Sequence, residues 1–160
     1  MSHRAFSSSA LPRRLFPSLL LGASLAACVG HPLAASLTGS SPSPTPDVFA
    51  CAREQVKALG FDQSSVDVKE YRLQAKRYDE TVRRPDVNFR RLVDRLEIEI
   101  APGAGGAVTS IEVTARTFAE LTTQRGPTEE QERTSETARQ AAQTLLDRCG
   151  APVAPPAGQG

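Results

Sequence analysis

Two glutamates in the middle of the chain have the spacing that acid–base chemistry could use. Glu97 and Glu99 alternate with apolar residues from Leu96 to Ile100, so both carboxylates lie on one face of a predicted strand. Paired carboxylates supply the acid and the base in glycoside hydrolysis. The face that alternates with core residues is the solvated one, however, and nothing there implies a cleft. A carboxylate-dependent hydrolase is therefore the least favoured of the functions considered.

Four arginines form the second candidate site. They lie in the polar segment 78–91, YDETVRRPDVNFRR, whose proline interrupts a regular ladder. Planar guanidinium groups bind phosphate and carboxylate through paired hydrogen bonds, so such a cluster could contact a partner protein or an anionic envelope component. A solvated face with local ion pairs would give the same pattern. The four residues are Arg83, Arg84, Arg90 and Arg91.

Most other catalytic classes lack their residues. The two histidines, His3 and His31, fall in a predicted leader and linker, so Ser-His and Cys-His pairs are not expected in the domain. No Cys or His cluster has the spacing of a metal site, and the sequence predicts no metal and no cofactor. The formal net charge of +1 gives no global argument for nucleic acid. We therefore expect a protein that is not an enzyme.

The start of the chain has the parts of an export signal. Arg13 and Arg14 precede a short apolar stretch, which is too short and too interrupted to span a membrane. Its last four residues, Leu25-Ala26-Ala27-Cys28, resemble the lipobox of bacterial lipoproteins. The resemblance implies that residues 1–27 are removed and that Cys28 carries lipid. Ordinary signal-peptidase cleavage near a chance cysteine is the alternative.

Two further resemblances concern the address. The residue after the lipobox cysteine is Val29 rather than the Asp of an inner-membrane retention signal. In a two-membrane bacterium the lipoprotein resemblance therefore favours the periplasmic face of the outer membrane. Arg13-Arg14-Leu15-Phe16 also resembles a twin-arginine export core, although Pro17 and Ser18 depart from that pattern. An ordinary basic leader is the alternative.

The cysteine count fits the lipobox. Three cysteines are an odd number for an exported chain. If Cys28 takes lipid, Cys51 and Cys149 remain, and an oxidising compartment permits them to form a disulfide.

The rest of the chain divides into three parts. Residues 28–46, rich in Ser, Pro and Gly, predict a disordered tether, and 151–160 a disordered tail. Residues 47–150 predict one α+β domain. Its first helix is expected from Val48 to Leu59, with Asp47 as cap and Gly60 as left-handed stop.

Strands and a second helix follow. Alternating residues around a turn at Lys69-Glu70, and around the glycine-rich loop 102–106, predict three or four antiparallel strands. Thr128 and Gln131 have capping-box spacing before a stripe of apolar residues. The stripe predicts the second helix, which Gly150 ends; its residues are Ala138, Ala141, Ala142, Leu145 and Cys149.

The sequence thus predicts a two-layer α+β domain in the order helix, three or four antiparallel strands, helix, with both helices on one face of the sheet. For function it predicts a lipid-anchored, non-catalytic envelope protein that binds a protein or an anionic envelope component. A purely structural spacer is the next alternative.

Overall fold

A computed structural model describes residues 33–103, 106 and 108–150. Six antiparallel strands form one sheet, in the order β1-β5-β4-β3-β2, and β6 also pairs with β5. The predicted fold, with three or four strands between two terminal helices, is therefore wrong, because a strand precedes the first helix and the sheet has six strands. The elements are β1 (Ala34–Ser41), α1 (Thr45–Ala58), β2 (Asp62–Asp67), β3 (Arg72–Asp79), β4 (Phe89–Pro102), β5 (Thr109–Thr123), β6 (Gly126–Glu132) and α2 (Glu136–Cys149).

The two unexpected strands lie end to end along one edge of β5. β1 pairs with Thr109–Arg116 and β6 with Thr117–Thr123, while β4 occupies the other edge of β5. β1 lies within the predicted tether, so that prediction is wrong from residue 34 onwards. Its small, uncharged residues resemble a linker in composition, and the long-range ladder to β5 is what orders them.

α1 begins earlier than expected. Pro44 is its N-cap and Asp47 lies inside the first turn without a capping hydrogen bond, so the predicted cap is wrong. The predicted stop at Gly60 is confirmed, since this residue has a φ of 78°. The Gly60 N–H donates to the Lys57 carbonyl (3.0 Å) and the Phe61 N–H to the Val56 carbonyl (2.9 Å), which is a Schellman motif.

α2 begins later than expected. The residues of the predicted capping box, Thr128 and Gln131, lie in β6, so that prediction is wrong. The N-cap is Ser135, whose Oγ accepts from the Ala138 N–H (3.0 Å). The predicted apolar stripe is confirmed: its five residues, from Ala138 to Cys149, are buried.

One face of the sheet carries the hydrophobic core. Both helices pack there, and side chains such as Val56 and Leu145 meet Leu73, Ile98 and Val113 of the sheet. The predicted hairpin around residues 102–106 is confirmed, with β4 and β5 in continuous register from Arg91 to Pro102. The turn between β2 and β3 also lies where it was expected.

A disulfide joins the two helices. Cys51, in the second turn of α1, is bonded to Cys149 at the end of α2, with a Cα–Cα distance of 5.8 Å. The predicted bridge is thus present in the structure. The Arg148 Nη1 also donates to the Gln55 Oε1 (2.7 Å), so the bridge and this hydrogen bond both join α1, from its middle onwards, to the end of α2.

The predicted leader, the lipobox with Cys28 and the predicted tail lie outside the described residues. Among the residues that are described, no helix is long and apolar enough to cross a membrane.

Candidate anion-binding site

The loop from Glu80 to Asn88 joins β3 to β4 and presents the arginines. Two aspartates hold its ends: the Asp79 Oδ1 accepts from the Thr81 N–H (2.9 Å) and hydroxyl (2.6 Å), and the Asp86 Oδ1 accepts from the Asn88 N–H (2.9 Å). The hydrogen bonds from Thr81 lower the pKa of Asp79 below its ordinary value. Such local turns fix a loop without secondary structure.

An open depression of about 480 Å³ lies in this loop. Three of the four predicted arginines line it, together with an aromatic ring that forms part of its wall. Its lining residues are Glu80, Val82, Arg83, Arg84, Phe89 and Arg90.

Arg83 is held in the depression by backbone carbonyls. Its Nη1 donates to the backbone carbonyls of Glu80 and Val82, the latter at 3.2 Å. No carboxylate of the described residues lies within 4.0 Å of its guanidinium. Backbone carbonyls orient the group and leave its full charge uncompensated.

Arg84 is held by two partners. Its guanidinium donates twice to the Glu132 carboxylate, with the Nη2–Oε2 distance at 2.6 Å, and lies 4.6 Å from the centre of the Phe89 ring. The hydrogen bonds raise the pKa of Arg84 and lower that of Glu132. Both side chains are about one-third exposed, so water and solutes reach the pair.

Arg90 and Arg91 share the buried Glu120 and differ in exposure. The Arg90 Nη1 lies 2.8 Å from Glu120 Oε1, and its side chain is 55% exposed. The Arg91 side chain is only 16% exposed and is bonded to Glu120 (3.1 Å) and Glu80 (3.0 Å). Burial opposes the charge of Arg91, but these hydrogen bonds outweigh it and raise its pKa.

Arg91 therefore belongs to the framework of the site. Its guanidinium lies 3.8 Å from the centre of the Tyr78 ring, on the face of the sheet opposite the helices. The structure brings Arg83, Arg84 and Arg90 together in the depression and places Arg91 behind it.

The two glutamates of the hydrolase alternative lie elsewhere. Glu97 is paired with Arg116 and Glu99 with Arg72 (3.5 Å), and their side chains are 43% and 58% exposed. They occupy the sheet face opposite the helices, where solvent and ion pairs surround them. That environment gives the pair no buried acid, which the hydrolase alternative requires.

The acidic partners of the site are not predictable from the sequence. Glu120 and Glu132 come from β5 and β6, far along the chain from the arginines that they bind. No local spacing connects them. The only hint in the sequence was the acidic run 129–132, which the capping-box interpretation explained otherwise.

Among the described residues, no group of three or more His, Cys, Asp or Glu side chains could hold a metal ion. Comparison with models of known protein families and with curated protein sequences gives no match.

Proposed function

We propose that the chain is a lipid-anchored, non-catalytic binding protein of the bacterial cell envelope, and that the depression in the β3–β4 loop binds an anionic group of an envelope component. The anchor is the lipid on Cys28, and Val29 directs the protein to the periplasmic face of the outer membrane. One observation carries the binding proposal: Arg83 lines the depression, and no carboxylate of the described residues lies within 4.0 Å of its guanidinium.

The neighbouring Arg90 and Arg84 can also contribute to binding an anion in the depression. Arg90 is more than half exposed, so an anion can approach it without displacing the buried Glu120. Arg84 can exchange Glu132 for a ligand oxygen, since the pair is partly exposed and water competes with its hydrogen bonds. Phe89 and Val82 add apolar surface beside the charge. Phosphate or carboxylate groups borne on a sugar or a lipid head group fit this combination.

The revised domain boundary shortens the tether. Five peptide steps separate Cys28 from Leu33, where the described structure begins, and even fully extended they span no more than about 18 Å. A lipid on Cys28 would hold the domain close to the bilayer. This geometry favours a protein that acts near the lipid surface over the alternative of a long spacer.

Binding is tested with two probes, inorganic pyrophosphate and phosphatidylglycerol vesicles, using calorimetry at low ionic strength. Arg83→Ala combined with Arg90→Ala should weaken binding of at least one probe more than tenfold, because each charge-assisted hydrogen bond contributes on the order of 1.5–3 kcal/mol. Arg72→Ala combined with Arg133→Ala removes the same charge elsewhere and should change binding little. Equal losses in the two double variants would overturn the site.

The anchor is tested separately in cells. Cys28→Ser should release the protein from the membrane fraction and abolish incorporation of labelled palmitate. Cys51→Ser is the matched cysteine control and should stay anchored. Membrane attachment of the Cys28→Ser variant would contradict the proposed localisation.

A further inference from the structure

The outer edge of β1 is a regular strand edge without a partner among the described residues. We propose that it pairs with β1 of a second copy of this chain, antiparallel and about a two-fold axis, so that two sheets join into one. Three observations support a second copy as the partner: the two edges of the sheet differ in their protection against pairing, β1 has no charged residue, and a groove lies beside it.

The two ends of the sheet differ in their protection. β2 is six residues long, has Asp62 and Asp67 at its ends and is interrupted by a register shift between Gln63 and Ser65. Charges and bulges of this kind prevent an edge from pairing with another chain. β1 is eight residues long, has no charged residue, and pairs with β5 without any register shift.

The edge is also bounded at both ends. β6 continues the line of β1 and carries Pro127 and three glutamates, which disfavour further pairing. Beyond Ser41 the chain turns away through Pro42 and Pro44 into α1. Along this edge of the described structure, the uncharged segment Ala34–Ser41 is therefore without a strand partner; its side chains at Ser36 and Thr38 are exposed, whereas Gly39 and Ser41 are buried.

Space beside the strand fits an added chain. A groove of about 510 Å³ runs between β1 and α2, lined by Ala35 and Leu37 on the strand and by Glu136, Arg139, Gln140 and Gln143 on the helix. Glu136 and Arg139 are paired with each other, so the lining is neutral. Two copies can approach without bringing like charges together, and an extended strand adds its hydrogen bonds to the edge.

Strand geometry fixes the possible registers. Opposite residues of an antiparallel pair point to the same face, and Leu37 faces the helices of its own copy whereas Thr38 faces away. In a continuous sheet the two-fold axis must therefore pass through the position of a residue and not between two residues. The longest overlap of two copies of Ala34–Ser41 places it at Leu37 or at Thr38. Pairing about a two-fold axis uses the open edge of both copies, so assembly stops at the dimer.

The test is a charge exchange on the exposed side chains of β1. One full-length variant carries Ser36→Lys with Thr38→Lys, and the other carries Ser36→Glu with Thr38→Glu. In either register the new charges of the two copies lie opposite or diagonal to one another, so each variant alone should dimerise at least tenfold more weakly than the native chain. An equimolar mixture should restore the dimer. Sedimentation equilibrium of the detergent-solubilised chain measures all three.

The opposite edge gives the matched control. Ser64→Lys with Ser65→Lys introduces the same charges on β2 and should leave dimerisation unchanged. Retention of the disulfide and of the thermal unfolding midpoint establishes that each variant is folded. The proposal would be overturned if the native chain stayed monomeric at about 100 μM, or if the equimolar mixture of the lysine and glutamate variants failed to restore the dimer.

Discussion

The pair formed by Arg84 and Glu132 shows how one residue of the site serves two purposes. The guanidinium hydrogen-bonds Glu132 on the last residue of β6 and packs against the Phe89 ring. The same bonds lower the pKa of Glu132 below the ordinary 4.5. Because the folded pKa is the lower one, Glu132 contributes stability above its unfolded pKa and loses it as pH falls through the folded value.

Glu132→Gln should therefore lower the free energy of unfolding at pH 7 by no more than about 1 kcal/mol, since the pair is partly exposed. As pH falls from the ordinary pKa of 4.5 through the lower folded pKa, the difference from the native chain should shrink and then disappear. Urea unfolding at pH 7 and at several acidic pH values measures this. Glu130→Gln, on the same strand, is the control and should show a smaller difference at pH 7. A difference that persists undiminished in acid would contradict the assignment.

At the level of elements, the start of α2 is held by a buried carboxylate. Asp94 of β4 is 2% exposed; its Oδ1 accepts from the Thr117 hydroxyl (2.6 Å) and the Ser135 hydroxyl (2.8 Å), and its Oδ2 from the Arg77 Nη2 (2.9 Å). Ser135 is also the N-cap of α2. The Asp94 side chain thus joins its own strand β4 to β3, to β5 and to the N-cap of α2.

Asp94→Ala should lower the free energy of unfolding by about 3–5 kcal/mol, because it leaves the partly buried Arg77 guanidinium and two hydroxyls without their acceptor. Ser135→Ala removes only the cap and one of the bonds and should lower it by about 1–2 kcal/mol. Glu99→Ala, on the exposed face, should lower it by less than about 1 kcal/mol. Urea unfolding of the three variants gives the order, and an equal effect of Asp94→Ala and Glu99→Ala would refute the role given to the buried network.

Periodic elements were predictable from the sequence, and edge elements were not. The β4–β5 hairpin and the stripe of α2 bury one face, so their apolar residues recur at fixed spacing. β1 has small residues and β6 has charged ones, because an edge strand has little to bury. Their order comes from β5, which is distant in sequence. The true cap, Ser135, is followed three residues later by Ala138 rather than by the Glu or Gln of the capping-box pattern.

The site was predictable to the same extent. The arginines are adjacent in sequence and could be found as a cluster, but burial separates Arg91 from the other three. Arg91 is buried because it contacts Glu120 and Tyr78, which lie on neighbouring strands of the sheet. Spacing along the chain carries no information on such contacts.

At the scale of the whole molecule, the disulfide connects residues with a sequence separation of 98. Cys51→Ser with Cys149→Ser should lower the free energy of unfolding by about 2–4 kcal/mol, because the unfolded chain regains the freedom of a long loop. Thermal unfolding measures the loss. The intact mass of the exported protein should rise by two hydrogens on reduction, and two free thiols in the untreated protein would disprove the bridge.

The pairing of β1 with β5 has a consequence for the order of synthesis. β1 is the first of the described strands to be synthesised, yet Ala34 lies opposite Arg116 and Ser41 opposite Thr109. Cys51 likewise waits for Cys149. A chain that ends before residue 109 can neither pair β1 with β5 nor form the disulfide. The disulfide that fixes α1 to the rest of the domain can form only after α2 has been synthesised, because α2 supplies Cys149.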